Sequence, residues 1–436
     1  MVATTRLVRL IALGSPLWLL SFASPSIGWL AGTAYLLTLG VICFADYRAT
    51  PDGAALEIAR DFGRFSLGTA TEVQMRVANR SKRFLQIAAR DDLPAGLEQI
   101  DPMPEMRLPG QSDCEFVYRI RPLKRGRYQL GHLALRIRRP GALVERQVRV
   151  PAAAEIRVYP RFSTTEEYQL LARISQRDED VRRPRRVHGR GTDFESLSTY
   201  YPGEDLRLVD WKISAKRGHL ITRNLQTERG QQISVMIDGG RLMALKIGEF
   251  SRFEHALNAT VMLSYVAQKR GDSVAVSTFS DRVESFVPPL RGSSIMPRVL
   301  DSLSIVEVKQ VESDYWQVVG QVMDKLKRRS LIIMMTDVLD AAGSAGLLMN
   351  LTRAASRHLV LCVALTEPRI AAIAESEPHT IHDTYLKAAA SHLKLQRQLV
   401  LDKMRSRGIL TLEASPDKLT VQLVRRYLEI RKANLQ

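Results

Sequence analysis

From Leu10 to Ala45 the chain carries no charged side chain. About 20 consecutive apolar residues suffice to cross a bilayer, so this stretch is long enough for two crossings. Ser24-Pro25-Ser26 lies at its middle, and a proline there interrupts a continuous helix. The pattern predicts one span from Leu7 to Ala23, with Arg9 reaching back to the interface, and a second from Ile27 to Ala45. Trp18, Trp29, Tyr35 and Tyr47 supply the amphipathic rings that favour membrane boundaries. Arg6 and Arg9 precede this hairpin, Arg48 and Arg60 follow it, and the turn has no Lys or Arg. By the positive-inside rule both ends then face the cytoplasm, which places the chain in the inner membrane with its soluble domains on the cytoplasmic side. The competing reading is a cleaved signal peptide with Ser21-Phe22-Ala23 at the cleavage site. The second apolar stretch would still anchor that product.

Beyond the hairpin (residues 1–50) the patterning changes twice. Residues 51–160 read with period two, as half-buried strands do. Glu72 to Val77, Glu115 to Ile120 and Leu133 to Arg138 alternate polar and apolar side chains, and Pro109-Gly110, Arg125-Gly126 and Pro140-Gly141 mark turns between strands. Short strands at near-regular spacing predict an antiparallel, sandwich-like domain. Residues 161–229 form a polar connecting segment. Residues 230–436 alternate strand and helix, which predicts a doubly wound, mainly parallel sheet.

The connecting segment has the densest information. It runs Gly189-Arg-Gly191-Thr-Asp193-Phe194, then Tyr200-Tyr-Pro202-Gly203-Glu204-Asp205-Leu-Arg207, then Asp210-Trp211-Lys212-Ile-Ser214-Ala215-Lys216, and closes on Arg223. No helical stripe or strand alternation organises it. The expectation is a loop held to a folded body by ion pairs, Asp210 with Arg207 among them, with its aromatic rings buried. This order and spacing resembles the signature of a bacterial family, the domain-of-unknown-function family fifty-eight. Asp193, Glu204 and Lys216 stand as conservative departures from its Glu, Asp and Arg. The resemblance extends to membrane helices before the signature and a von Willebrand A-like domain after it. It implies a structural network of Asp193, Tyr200, Gly203, Asp205, Arg207, Asp210, Trp211 and Arg223. It also implies a frequent partner, a MoxR-type AAA+ ATPase.

In a doubly wound sheet, ligands bind beyond the carboxyl ends of the strands. Two acids fall there: Asp238 after Gln232 to Ile237, and Asp337 after the apolar run Leu331 to Met335. A von Willebrand A-like domain would place Mg²⁺ at such acids, with serines in an Asp-x-Ser-x-Ser motif and a distal hydroxyl. Here Gly240 and Leu242 replace both serines, and Ser293 is the candidate distal hydroxyl beside Ser294. The metal site is therefore degenerate, since Mg²⁺ needs placed oxygen ligands. Arg241 stands next to Asp238 in sequence and offers it a positive charge without a metal.

Three function classes follow. No GxSxG, HExxH or phosphate-binding loop is present. Cys43, Cys114 and Cys362 have no metal-ligand spacing. The expectation is a non-enzymatic, membrane-anchored scaffold or adaptor with no obligate cofactor, presenting its α/β domain to a protein partner in a chaperone-like or assembly role. A hydrolase using the signature acids is the alternative. A third is a basic protein binding nucleic acid or anionic lipid. The net charge of +17 is spread along the chain without a reader motif, which favours membrane lipid and argues against specific nucleic-acid binding.

Overall fold

The computed structural model describes residues 2–19, 24–161, 193–202, 205–226, 230–337 and 344–433. Residues 162–192, Gly189 and Gly191 of the signature among them, and Gly203 and Glu204 lie outside the described residues, as do the side chains of Asp193, Phe194 and Arg223. The chain divides into two compact units, Met1–Arg161 and Phe162–Gln436.

The first unit opens with β1 (Val2–Ala3), followed by the helices α1 (Thr5–Gly14), α2 (Pro16–Leu19) and α3 (Pro25–Ala49). Only α3, among the described residues, is long and apolar enough to cross a membrane. The expected single span from Leu7 is broken in two. Pro16 has no N–H to continue the ladder, and its ring crowds the carbonyl four residues back. The Ser15 N–H and hydroxyl both turn to the Ala12 carbonyl instead, at 3.2 and 2.7 Å. With a rise of about 1.5 Å per residue, α1 alone is too short to span a bilayer. Both pieces fold back on α3. Gly14 sits directly against the Tyr35 ring, and a Cβ on Gly32 would meet the Trp18 indole at 2.6 Å. The Tyr35 hydroxyl donates to the Leu10 carbonyl at 2.7 Å, and Trp18 meets Trp29 edge to face at 4.9 Å.

The strands β2 (Leu56–Phe62), β3 (Phe65–Ser66), β4 (Thr71–Asn79), β5 (Leu85–Asp91), β6 (Leu97–Gln99), β7 (Glu105–Leu108), β8 (Ser112–Pro122), β9 (Gly126–Arg138) and β10 (Val144–Tyr159) follow. They form two mainly antiparallel sheets, ordered β1-β10-β9-β5-β7, with β3 also on β10, and β2-β4-β8-β6. A buried polar cluster links the sheets: Asp91 of β5 receives Arg60 of β2 at 2.8 Å and the Tyr118 hydroxyl of β8 at 2.6 Å. Burial and the adjacent Asp91 push the Tyr118 phenol well above its ordinary value.

The turn between β9 and β10 is also where the helices attach. Val2 pairs with Glu145 and Ala3 with Val144, while the Thr4 hydroxyl donates to the Leu143 carbonyl at 2.8 Å. From the other end of the helical segment, Asp46 takes Arg139 at 2.6 Å and the Leu143 N–H at 2.9 Å. Arg146 bonds the Thr50 carbonyl at 2.7 Å and stacks over Tyr47 at 4.4 Å. Leu39 and Cys43 are buried against Leu143 and Val144.

The second unit begins with β11 (Asp193–Thr199), the helix α4 (Trp211–Arg217) and β12 (Ile221–Gln226), which pairs antiparallel with β11. Then come β13 (Gln232–Asp238), β14 (Lys246–Ile247), β15 (Phe250–Ser251), α5 (Arg252–Lys269), β16 (Ser273–Phe279), β17 (Val283–Leu290), α6 (Ile295–Ser304), α7 (Tyr315–Lys325), β18 (Leu331–Thr336), α8 (Ala345–Ala355), β19 (Leu359–Leu365), α9 (Pro368–Glu375), α10 (Ile381–Ser406), β20 (Leu410–Ala414) and α11 (Leu419–Lys432). The main sheet has the order β17-β16-β13-β18-β19-β20, parallel except for β17. Its inner strands β16, β13, β18 and β19 are buried almost end to end, as strands covered on both faces are. Met236, Met334 and Cys362 face a core shared with α7, α8 and the carboxy-terminal half of α10.

Among the signature's described side chains, the Trp211 ring is not buried as expected. Trp211 is 64% exposed and Tyr201 66% exposed, and Tyr200 is half-buried. What is buried is Val209, Ile221, Thr222, Ser214 and Asp210. Asp210 caps α4 by accepting the Lys212 and Ile213 N–H groups, each at 3.1 Å. The Ser214 hydroxyl accepts the Ile221 N–H at 2.9 Å. Asp205 receives the backbone N–H of Arg207 at 3.0 Å. These acids serve backbone amides. A cap at 210 puts Trp211 in the first turn of a short helix, turned to solvent.

Candidate functional site at the carboxyl edge of the sheet

β13 is the central strand from which the sheet is built outward in both directions, so the crevice at its carboxyl end is the expected ligand position. A cleft of about 680 Å³ opens there, lined among others by Asp238, Arg241, Glu312, Tyr315, Trp316 and Met349. The segment between α6 and α7 forms one wall. It is held by the bonds Lys309 N–H to Gly239 O at 2.8 Å, Arg241 N–H to Val311 O at 2.9 Å and Asp314 N–H to Ser280 O at 3.0 Å.

Asp238 is 2% exposed, and both its oxygens are engaged. Oδ1 accepts the Gly240 N–H at 2.8 Å and the Ser313 hydroxyl; Oδ2 accepts the Tyr315 hydroxyl at 2.8 Å and the Thr336 hydroxyl at 2.6 Å. Four donors of the protein itself thus satisfy this buried carboxyl group. Burial and the Asp238 charge together push the Tyr315 phenol far above its ordinary value, so it stays a donor.

Gly240, where a serine was looked for, has no room for one. A Cβ there would meet the Ser313 hydroxyl directly, the Val311 carbonyl at 3.0 Å and Asp238 Oδ1 at 3.1 Å. Ser313 thus delivers a hydroxyl to Asp238 from the opposite wall. Ser293 does not contribute. β17 runs antiparallel to β16, pairing Leu290 with Val274 at the start of that strand, so Ser293 lies at the amino edge of the sheet and Asp238 at the carboxyl edge. The bond from Arg291 to the Gly230 carbonyl marks the same edge. The expected distal hydroxyl is corrected accordingly.

Asp337 is held by charge. Arg252, at the start of α5, donates to its Oδ2, and Arg397, in the middle of α10, reaches Oδ1 at 3.4 Å. Arg252 also reaches Glu367 at 3.2 Å, and Arg397 donates to the Leu365 carbonyl at 2.6 Å. Burial lowers the Arg397 pKa, with Asp337 opposing that shift; the guanidinium nonetheless remains charged. Burial pushes the Cys362 thiol on neighbouring β19 up to about 12, which keeps it protonated and inert. Arg241, expected to neutralise Asp238, instead makes an exposed pair with Glu312 at 2.7 Å.

The sequence reading placed Asp238 and Asp337 correctly at one end of the sheet. It missed Arg252, Arg397, Ser313, Tyr315 and Glu367. Thr336 was visible as the residue before Asp337. The others sit in a helix or a loop, where a charged or hydroxyl side chain gives no local sign of burial. Among the described residues, no group of three or more His, Cys, Asp or Glu is placed to hold a metal.

Comparison with known proteins finds distant likenesses and one family profile over part of the chain. The Rv1480 protein of Mycobacterium tuberculosis (strain H37Rv) and the Mb1516 protein of Mycobacterium bovis, both uncharacterized, are each 20% identical to this chain over 185 residues. Those residues are 42% of this chain and 57% of the relative, so the match spans just over half the relatives' length. Among solved structures, the conserved hypothetical protein BatB from Bacteroides thetaiotaomicron is 14% identical, with 47% of this chain and all of that one covered at a TM-score of 0.32. The PapD-like domain of human CEP192 is 13% identical, covering 24% of this chain and 87% of that one at a TM-score of 0.19. Neither likeness is strong enough to carry an argument. Residues 196–397, just under half of the chain, take in β12, the cleft and both buried acids and match the profile of the family described as protein of unknown function DUF58.

Proposed function

We propose that this chain is a membrane-anchored adaptor whose α/β unit has a von Willebrand A-like fold and receives a protein partner at the carboxyl edge of its sheet. The partner implied by the family resemblance is a MoxR-type AAA+ ATPase, in a chaperone-like or assembly role. The observation that carries the reading is that both acids of the cleft are already engaged by donors of the protein itself. A general base or a metal ligand needs a free lone pair, and these carboxylates offer few. The cleft wall, in contrast, exposes Trp316 (58%) and Met349 (53%), side-chain types enriched at protein interfaces. The engaged acids also support metal-independent binding.

The anchor is a helical hairpin with both ends in the cytoplasm. Support comes from β1, which returns the amino end to the same β9–β10 turn that holds the end of α3, and from the flanking arginines. A reporter active only outside the membrane, fused after Gln436, stays silent on this topology; strong activity refutes it. For the partner, the purified chain is immobilised and the purified ATPase passed over it with and without EDTA. Binding that survives EDTA and falls at least about tenfold in Trp316→Ala supports the proposal, as loss of an interface tryptophan does elsewhere. Failure to bind, or binding indifferent to Trp316, rejects the cleft as the docking site.

A further inference from the structure

The helix α10 has two apolar faces, and only one is used by its own unit. At 100° per residue the faces lie roughly 140° apart. The inner face is Leu386, Ala390, Leu393, Arg397, Val400 and Met404; its last positions are fully buried in the core. The outer face is Ile381, Tyr385, Ala388, His392, Leu395 and Leu399, spaced 4-3-4-3-4. All six are exposed, with Ile381 at 80%, Tyr385 at 73% and Leu395 at 58%. That spacing is the seam of a coiled coil. A capping box of Thr380 and Asp383 fixes where the helix starts, so the seam's first turn is formed.

We infer that this seam pairs antiparallel with the same seam of a second copy of the chain. Two observations select that occupant. First, the positions beside the seam are uncharged: His382, Thr384, Ala389, Ser391, Gln396 and Gln398. A chain of net charge +17 repels its copy over most of its surface, and this stripe carries no Lys or Arg from Ile381 to Leu399. A helix that lies on a bilayer has the opposite flanks, rich in Lys and Arg. Second, the seam is self-complementary when reversed. A two-fold axis at Ala390 sets Ile381 against Leu399, Tyr385 against Leu395 and Ala388 against His392, so large meets large at the ends and small meets polar at the centre. An isologous contact of this kind closes as a dimer. Parallel pairing would stack His392 on His392 and Tyr385 on Tyr385. The seam is short, and membrane anchoring supplies the effective concentration that a short seam needs.

The test uses the full chain in membranes and in detergent. Ala388→Cys and His392→Cys are made separately and oxidised with copper phenanthroline, each alone and as a co-expressed pair, with the wild-type chain as control for Cys43, Cys114 and Cys362. The pairing predicts that the mixed pair cross-links at least about fivefold more than either variant alone, since only the antiparallel register juxtaposes the two positions. Light scattering of the wild-type chain in detergent then gives a dimer. Tyr385→Glu/Leu395→Glu, whose sites are exposed, keeps the wild-type melting curve and becomes monomeric. Stronger cross-linking of the single variants indicates a parallel register and overturns the inference. So does a wild-type monomer with no cross-link, or a double variant that stays dimeric. A monomeric wild-type chain whose double variant loses binding to anionic vesicles would mean that a bilayer covers the face, which equally overturns it.

Discussion

Arg252 donates to Asp337, and both side chains are almost wholly withdrawn from solvent, at 3% and 0% exposure. Their helix and strand start 79 residues apart, Arg252 opening α5 and Leu331 opening β18. A buried pair of this type gains little over an apolar pair, but it is costly to break from one side. Arg252→Met should therefore destabilise the folded chain by about 3–5 kcal/mol, read as a lower urea midpoint at unchanged slope. The second guanidinium, Arg397, softens the loss. Calorimetric titration of Mg²⁺ into the wild-type chain should show no micromolar site. Micromolar binding that disappears in Asp337→Ala would contradict the picture of an acid already neutralised.

Restoring the missing serine should harm the protein. Gly240→Ser drives a Cβ into the Ser313 hydroxyl, and overpacking of this kind costs about 1–3 kcal/mol. Removing the obstructing hydroxyl in Gly240→Ser/Ser313→Ala should recover part of that loss, because neighbouring changes are not additive. Equal destabilisation in the single and double variants would show that Ser313 is not the obstacle.

Asp210→Ala should cost about 0.5–2 kcal/mol, the usual value of a helix cap, with Asp210→Asn close to wild type. The test is the thermal melt of both variants. A loss in Asp210→Asn as large as in Asp210→Ala would point to the charge rather than the cap.

His358 gives a pH dependence of known sign. Its ring nitrogen accepts the Ser330 N–H at 3.2 Å, which requires the neutral form. Burial, then Arg357 and Arg329, lower its pKa below the ordinary 6.5. The unfolded chain thus binds the proton more readily than the folded one. The His358 contribution is complete above about pH 6.5 and is lost as pH falls below it. Urea midpoints measured from pH 7.5 to 5 should fall more steeply in the wild type than in His358→Gln. Parallel curves would rule out this role.

The strand and helix order of the second unit was legible because continuous apolar runs ending on acids, Met335 to Asp337 and Ile237-Asp238, are local signals. Partners that come from elsewhere were not. Arg252 and Arg397 look like ordinary helix-surface arginines until β18 is set between their helices. Ser293 was misplaced because sequence distance does not reveal that β17 reverses direction. Pro16 went unheeded because hydropathy measures the length of an apolar run without its breaks. In the signature, the cap role of Asp210 was hidden because acids at cap positions and acids in salt bridges have the same letters.

The grip of the β9–β10 turn on both ends of the helical segment has a mechanical consequence. With Val2 paired to Glu145 and Asp46 bonded to Arg139 and the Leu143 amide, α3 cannot swivel freely against the strands that follow it. With α3 embedded in a bilayer, the β sheets would hold one fixed face toward the lipid surface. The first unit would then act as a rigid bracket, transmitting the tilt of α3 directly to the orientation of its strands.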